Sequence, residues 1–268
     1  MNQVISEFKK NGYFVVKSIL NNDEIINLKK FISKLTPKLL VPYSNEAWGY
    51  GNCLDKNEFK IISKNKIILD HISKILCDTF EFNHLMVNRK PQWIGPEVEY
   101  HQEVFNSKTF APGVSVNDLE NKWCQIYIPL EDESANNGGL RIVTNTHSLG
   151  MLYSEDIINQ NYSHKRRVPV DVLNNITKSN QHNLIDLNLK AGDFVFFSPL
   201  LVHGSPSNWS QYERISLVLQ SKVTKVKTDD KIFDEEVLFR TNFIIKSLSK
   251  KISEIDKDRK YSDFKSKK

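Results

Sequence analysis

Hydrophobic and polar positions follow two different rhythms along the chain. In residues 1–80 apolar side chains recur every three or four positions, which predicts one helix capped by Asn22-Asp23 and a second from about Glu58 to Cys77. A β-branched and aromatic run, Gly12 to Val16, predicts a strand before the first helix. The segment from Val41 to Cys53 is rich in Tyr, Trp, Gly and Asn and predicts a loop, either packed on the surface or facing a substrate.

From about residue 81 to 225 the pattern changes to short apolar and alternating runs separated by turn residues. Several such strands without long helices between them favour an antiparallel sandwich or barrel. The predicted strands are Leu85–Arg89, Glu97–Val104, Lys122–Leu130, Gly139–Thr144, Leu184–Leu189, Phe194–His203 and Arg214–Val223.

Two further segments depart from this pattern. The polar stretch from Met151 to His182 is longer than a simple connection, and it is either a solvated insertion or a lid whose basic run, His164 to Arg167, meets an anionic substrate. Residues 226–268 predict a helix over about Asp234 to Lys257, packed on the sheet or on another subunit, followed by a basic tail. Because no repeat or linker divides the chain, we expect a single domain over residues 1–268.

Composition narrows the classes of function. The chain carries 37 basic and 32 acidic residues, but 14 of the former and 9 of the latter lie from Ser221 onward, which leaves 23 of each before that point. The body is therefore neutral, and we expect no nucleic-acid partner. Three cysteines without paired spacing indicate a reducing compartment, and neither an export signal nor a membrane span is evident, so the expected location is the cytoplasm.

The last two predicted strands carry potential functional side chains on both sides of a polar turn. His203 ends one strand and Arg214 begins the next, so the two are expected to face each other across a hairpin. A buried arginine on an apolar strand needs an anionic partner. Alternation along the second strand puts two sets of side chains on opposite faces: Arg214, Ser216, Val218 and Gln220 on one, and Ile215, Leu217 and Leu219 on the other.

A histidine and a carboxylate lie close together upstream. His101 and Glu103 are separated by one residue in a strand-like run, a spacing that puts both side chains on one face. With His203 they form the set of two histidines and one carboxylate that is typical of non-haem Fe(II) sites with open positions. Arg214 adds a guanidinium fork suited to a dicarboxylate cosubstrate. Each signal alone is weak, and their order and strand placement together are much stronger.

Four segments carry a resemblance to a known family: FKKNGYFVVKSILNNDEIINLKKFI at the start, then YHQE, NNGGLRIVTNTHSLG and GDFVFFSPLLVHGSPSNWSQYERISL. In this order they resemble the phytanoyl-CoA dioxygenase-like (PhyH) family of Fe(II)- and 2-oxoglutarate-dependent oxygenases. The resemblance implies a mainly β protein with flanking helices around a double-stranded β-helix (jelly-roll, cupin-like) core. It also implies Fe(II) as the metal, 2-oxoglutarate as cosubstrate and O2 as oxidant.

Carried over by position, the resemblance makes His101, Glu103 and His203 the iron ligands and Arg214 the partner of the C5 carboxylate of 2-oxoglutarate. Glu103 departs from the aspartate that is usual in the family and is one methylene longer. A small residue there would have indicated a halogenase. Additional candidates for contacts with the cosubstrate are the hydroxyl groups of Ser205 and Ser216, Lys90 of the Arg-Lys-Pro segment, and Gln125 and Tyr127, which share a face of a predicted strand and for which inward packing is an equal explanation.

The activity implied is hydroxylation, or another oxidation, of a small polar metabolite, with decarboxylation of 2-oxoglutarate to succinate and CO2. Desaturation, epimerisation and ring formation require the same ligands, so the sequence does not distinguish these outcomes. One alternative is a cupin-like metalloenzyme that does not use 2-oxoglutarate, against which Arg214 counts. Another is a non-catalytic jelly-roll binding protein. We expect no membrane partner, and the sequence leaves the oligomeric state open. The remaining histidines are expected to be structural or exposed: His71, His84, His147, His164 and His182.

Overall fold

The computed structural model describes residues 3–41, 44–106, 122–157 and 166–224. The helices are α1 (Gln3–Asn11), α2 (Asn22–Ile32), α3 (Lys60–Ser63), α4 (Lys66–Leu76) and α5 (Val170–Thr177). The strands are β1 (Tyr13–Val16), β2 (Leu39–Leu40), β3 (Ala47–Asn52), β4 (Phe80–Lys90), β5 (Val98–His101), β6 (Trp123–Pro129), β7 (Arg141–Val143), β8 (Glu155–Asp156), β9 (Arg166–Arg167), β10 (Leu184–Asp186), β11 (Phe194–Phe197), β12 (His203–Ser205) and β13 (Arg214–Val223).

Two antiparallel sheets face each other. The larger has seven strands in the order β1-β11-β6-β13-β4-β3-β2, and the smaller has four in the order β10-β7-β12-β5. Apolar side chains from both sheets, including Tyr127, Ile142 and Phe197, form one cluster between them. The expected mainly β, jelly-roll architecture is therefore confirmed.

Helices cover the outer face of the seven-stranded sheet. Phe14 on β1 stacks on Phe196 on β11 with ring centroids 4.8 Å apart, and His71 on α4 stacks against both rings. Ile215, Leu217 and Leu219 on β13 join this apolar core, whereas Arg214, Ser216 and the other alternate residues point to the inner side. The predicted alternation along β13 is thus confirmed, and the inner face is left for chemistry.

The two long N-terminal helices begin at asparagine caps. Asn21, rather than the predicted Asn22-Asp23, caps α2 through a capping box with Glu24. The predicted helix from Glu58 to Cys77 is interrupted, because the Asn65 side chain accepts hydrogen bonds from the first turn of α4 and so starts a new helix there.

The predicted loop from Val41 to Cys53 is wrong in part, since Ala47–Asn52 form strand β3, which lies between β4 and the edge strand β2 of the large sheet. Its glycines and asparagine misled the composition argument. The register between β3 and β4 shifts between Gly49 and Asn52, and Gly51 has φ +74°, which is typical of a bulged strand. The Asn52 side chain accepts a hydrogen bond from the Leu85 backbone, which links β3 to β4.

The predicted strand from Phe194 to His203 is also wrong as a single element. β11 belongs to the seven-stranded sheet and β12 to the four-stranded sheet, and the chain crosses between them at Ser198–Val202. The predicted hairpin between His203 and Arg214 is therefore absent from the described strands, because β13 pairs with β6 and β4 instead.

The insertion from Met151 to His182 is partly folded onto the small sheet. β8 pairs with β9, and Val172 and Ile176 of α5 lie in a buried cluster with Val202, so the described part is not a purely solvated loop. His164, Lys165, the predicted C-terminal helix and the basic tail lie outside the described residues. Among the residues that the structure describes, no helix is long and apolar enough to cross a membrane, and the cytoplasmic location stays a prediction.

Gly192 should be intolerant of a side chain, because it joins β11 to the segment after β1. Its carbonyl accepts hydrogen bonds from the backbones of Ile19 and Leu20, its φ is +84°, and an added Cβ would lie 2.5 Å from the Leu20 carbonyl oxygen. We expect Gly192→Ala to lower the free energy of unfolding by at least about 2 kcal/mol in urea titrations. Gly49→Ala is the control, since its φ is not positive and a Cβ there would first meet a flexible leucine side chain at 3.4 Å. Equal losses in the two variants would contradict this account.

Candidate metal centre

Three potential ligands converge between the sheets. The pairing of β12 with β5 sets His203 directly opposite His101, with ring centroids 4.3 Å apart. Glu103 Oε1 lies 3.8 Å from His101 Nε2 and 3.5 Å from His203 Nε2. One donor atom from each residue falls within 4.8 Å of the others, and all three side chains are buried. The arrangement can hold a single metal ion.

Backbone carbonyls orient both imidazoles. His101 Nδ1 donates to the Glu99 carbonyl at 2.6 Å, and His203 Nδ1 donates to the Leu201 carbonyl at 2.9 Å. Each ring thereby presents Nε2 as the ligand atom, which is how outer hydrogen bonds commonly prepare a metal-binding histidine. Burial, and then the neighbouring His203, lower the pKa of His101. Two neutral imidazole nitrogens and one carboxylate together form a ligand set that fits Fe(II).

Glu103 reaches the centre by a different route from the one predicted. The sequence pattern predicted that His101 and Glu103 share one face of a continuous strand. This is wrong for Glu103, because β5 ends at His101 and Glu103 begins a short 3-10 turn. Gln102 fixes the chain between the two ligands: its Nε2 donates to the carbonyls of Gly150 and Leu200, and its Oε1 accepts from the Leu152 backbone. Gln102 was not predicted as a functional residue, because a single buried glutamine carries no recognisable sequence motif.

Arg214 has an anionic partner that the sequence analysis did not identify. Glu133 Oε1 lies 3.5 Å from Arg214 Nη1 and accepts a 2.5 Å hydrogen bond from the Tyr127 hydroxyl, while Glu133 Oε2 accepts from the Leu140 backbone. Arg214 Nη1 donates to Tyr127 at 2.6 Å and to Ser216 at 2.7 Å. In the sequence, Glu133 follows Glu131 and Asp132, and no spacing distinguishes it from these neighbours.

One edge of the Arg214 guanidinium is left open. Its Nε is buried and has no hydrogen-bond partner among the described residues. Tyr127 and Ser216 engage only Nη1, so the fork keeps donors for a further acceptor. A buried arginine with this geometry can bind a carboxylate.

Lys90 brings a second positive group to this cluster. It lies opposite Arg214 in the β4–β13 pairing, is fully buried, and donates to the backbone carbonyls of Ser205 and Pro206. Burial, and then the charge of Arg214, hold the pKa of Lys90 well below its usual value. Ser205 therefore contacts this cluster through its backbone carbonyl, which accepts a hydrogen bond from Lys90. Gln125 lies in another row of the same face, opposite Gln220.

Removing the Glu133 carboxylate should be costly, because it would leave the buried Arg214 without its counter-ion. We expect Glu133→Ala to lower the free energy of unfolding by about 3–5 kcal/mol, measured by urea denaturation. Asp132→Ala on the same loop is the control: Asp132 forms an ion pair with Lys190 in which both side chains are largely exposed, and its loss should cost at most about 1 kcal/mol. Similar losses in the two variants would show that Glu133 does not balance buried charge.

Comparison with solved structures supports the fold. EctD from S. alaskensis, crystallised with 2-oxoglutarate and 5-hydroxyectoine, is 17% identical with a TM-score of 0.62, over 85% of this chain and 78% of that one. The non-heme alpha ketoglutarate dependent epimerase SnoN from nogalamycin biosynthesis is 14% identical with a TM-score of 0.63, over 86% of each chain. HygX from Streptomyces hygroscopicus, with nickel, 2-oxoglutarate and hygromycin B, is 10% identical with a TM-score of 0.59, over 84% of this chain and 88% of that one.

A search of curated proteins gave no match. A family model for phytanoyl-CoA dioxygenase (PhyH), in contrast, matches residues 8–216. This range contains His101, Glu103, His203 and Arg214 together with the strands of both sheets except the part of β13 after Ser216. Because the match spans most of the chain, the protein belongs to the phytanoyl-CoA dioxygenase family.

Proposed function

We propose that this protein is an Fe(II)- and 2-oxoglutarate-dependent oxygenase that hydroxylates, or otherwise oxidises, a small polar metabolite and releases succinate and CO2. The observation that carries the proposal is the buried His101-Glu103-His203 cluster, whose histidines are oriented by carbonyl groups toward a common point. Family membership and the similar folds of EctD, SnoN and HygX support the same kind of reaction.

The three residues would hold Fe(II) on one side and leave the other side open to ligands. Bound iron, with 2-oxoglutarate and O2, supplies the oxidation of an unactivated C–H bond. Glu103 contributes the single negative charge among the three, and burial of both histidines keeps water from competing with them. Glu103, one methylene longer than aspartate, is carried by a 3-10 turn and still brings its Oε1 to 3.5 Å from His203 Nε2.

Arg214 would bind the C5 carboxylate of 2-oxoglutarate through its open edge, with the Ser216 hydroxyl beside it. Tyr127 and Glu133 hold the guanidinium in place, so little side-chain freedom remains to be lost on binding. Glu133 Oε1 is the anionic partner of Arg214 Nη1, and the incoming carboxylate would bind the remaining donors of the same guanidinium. The crystal structures of EctD and HygX contain 2-oxoglutarate, which favours this cosubstrate.

The alternatives explain fewer of these residues. A metalloenzyme that does not use 2-oxoglutarate gives no role to the open edge of Arg214, and a non-catalytic binding protein gives none to the oriented histidines. The anionic substrate suggested by residues 164–167 also loses support. Arg167 pairs with Glu155 and Glu99, and Arg166 pairs with Asp156, so both arginines already have acidic partners.

Metal and cosubstrate loading provide the direct test. Anaerobic protein with Fe(II) and 2-oxoglutarate should show a weak visible charge-transfer band, because such a band requires 2-oxoglutarate to be bound to the iron. Addition of O2 should then yield succinate. Absence of both the band and succinate would overturn the proposed function.

Substitutions should separate metal binding from cosubstrate binding. His203→Ala and Glu103→Ala should each reduce iron affinity at least roughly tenfold, since even outer-shell changes at metal sites commonly cost that much. Arg214→Ala should retain iron and weaken 2-oxoglutarate binding by roughly 10–100-fold, the effect of losing one or two hydrogen bonds to a charged group. Iron content after desalting and titration of the visible band measure the two effects.

His182→Ala is the matched histidine control, because His182 is buried, donates to the Thr144 carbonyl and lies outside the cluster. Arg214→Lys provides a second variant that keeps a positive charge but loses the planar fork. Loss of iron in Arg214→Ala equal to that in His203→Ala would assign Arg214 a structural role instead.

A further inference from the structure

A second row of side chains crosses the inner face of the seven-stranded sheet. Phe197 on β11, Gln125 on β6, Gln220 on β13 and His84 on β4 lie side by side in register. Directly paired residues of antiparallel strands point to the same face, and Phe197 belongs to the cluster between the sheets. The two glutamines therefore point into the space that contains the candidate metal centre.

Both ends of the row are tied to the predicted ligands. The Phe197 ring meets the His203 ring edge-on, with centroids 4.8 Å apart. At the other end, burial lowers the pKa of His84 while the Glu103 carboxylate opposes this effect, so these two side chains lie within electrostatic range. The row thus passes beside the metal centre, with Gln125 and Gln220 in its middle.

The amide groups of these glutamines make no hydrogen bond to the described part of the chain. Gln125 is fully buried, and neither its Nε2 nor its Oε1 has a hydrogen-bond partner among the described residues. Gln220 is 4% exposed, and its Oε1 also lacks a partner there. Buried polar groups in folded proteins are nearly always hydrogen-bonded, so such exceptions need an explanation. Gln102 shows the usual case, with donors and acceptor all engaged.

The inward-facing side of β4 is more accessible than its outer side. On β4 the inward-facing residues His84, Met86 and Asn88 are only half-buried, whereas Leu85 and Val87 on the outer side are completely buried. Along β13 the row is separated from Arg214 itself, because the strand rises roughly 20 Å from Arg214 to Gln220 at about 3.3 Å per residue. On β6, Gln125 is the inward-facing neighbour of Tyr127, which contacts Glu133 and Arg214, so Gln220 is the amide better separated from the far carboxylate of the cosubstrate.

We propose that Gln125 and Gln220 bind an uncharged, hydrogen-bonding part of the substrate, either hydroxyl groups or a carboxamide, and hold it beside the metal centre. The inference rests on the proposed function and specifies its substrate class. The two amides provide donors and acceptors without net charge, and no Lys, Arg, Asp or Glu shares their row. A charged substrate group between the two amides would lose its hydration and meet no oppositely charged side chain in the row, and the Glu103 charge that reaches His84 at its end belongs to a predicted metal ligand.

Thermal stability distinguishes this role from a structural one. Gln125→Leu and Gln220→Leu should melt no lower than the wild type, because they remove amide atoms that have no partner in the fold. Gln102→Leu is the matched control and should melt lower, because it breaks three hydrogen bonds. A decrease in Tm for Gln125→Leu as large as that for Gln102→Leu would overturn the proposal.

Binding of defined probes tests the substrate class. Anaerobic protein with Fe(II) and 2-oxoglutarate is melted with glucose and sorbitol as polyols, with acetamide and nicotinamide as carboxamides, and with gluconate and glucosamine as charged counterparts. At least one neutral probe should raise the Tm of the wild type and fail to raise that of the double variant Gln125→Leu/Gln220→Leu. The polyol and carboxamide arms separate the two chemistries. Stabilisation by no neutral probe, equal stabilisation by the charged probes, or stabilisation that persists in the double variant would each overturn the inference.

Titration of the visible band distinguishes a failure of the substrate inference from a failure of the proposed function. In the glutamine variants 2-oxoglutarate should bind as in the wild type, and weaker binding would assign the amides to the cosubstrate and overturn the inference. If the band forms in the wild type while the neutral probes have no effect, only the inference about the substrate fails. If the wild type gives neither band nor succinate, the proposed function itself fails.

Discussion

The pairing of β12 with β5 is the constraint on which the candidate site depends. It joins segments that are far apart in the chain and sets His203 opposite His101. Because side chains alternate along a strand, a slip of one residue would turn one imidazole away from the other. The carbonyl groups of Leu201 and Glu99 are delivered by the same two segments, so the register fixes both the position and the orientation of the rings.

The Arg214 cluster is a second consequence of strand pairing, on the opposite sheet. Placing an arginine and a lysine side by side in the interior is unfavourable by itself, and the fold offsets it with Glu133 and the Tyr127 hydroxyl. Burial raises the pKa of Glu133, and the Arg214 charge opposes that effect. The internal partners of Arg214 thus engage only Nη1 of its guanidinium, and its buried Nε has no hydrogen-bond partner among the described residues.

The sequence was informative wherever residue type and alternation determine the outcome. The antiparallel β core, the helices over residues 1–80 and the two faces of β13 follow from apolar periodicity, the jelly-roll from the family resemblance, and the three candidate ligands were chosen by their chemistry. The supposed hairpin between His203 and Arg214 failed because a polar turn does not reveal which strands it joins. Glu103 was placed on the right side for the wrong reason, since nothing local shows that β5 ends at His101. Glu133, Gln102 and Gln220 acquire their roles only from contacts between distant segments.

Alternation along β6 and β13 has an evolutionary consequence. Ile126, Ile128, Leu217 and Leu219 anchor the helical layer, whereas the residues between them line the interior of the jelly-roll. Natural selection could therefore alter the interior positions with little effect on the apolar layer behind the sheet. Neighbouring residues in one strand are therefore under different selective pressures. Such a separation lets one scaffold diversify among substrates while the residues that determine its folding stay constant.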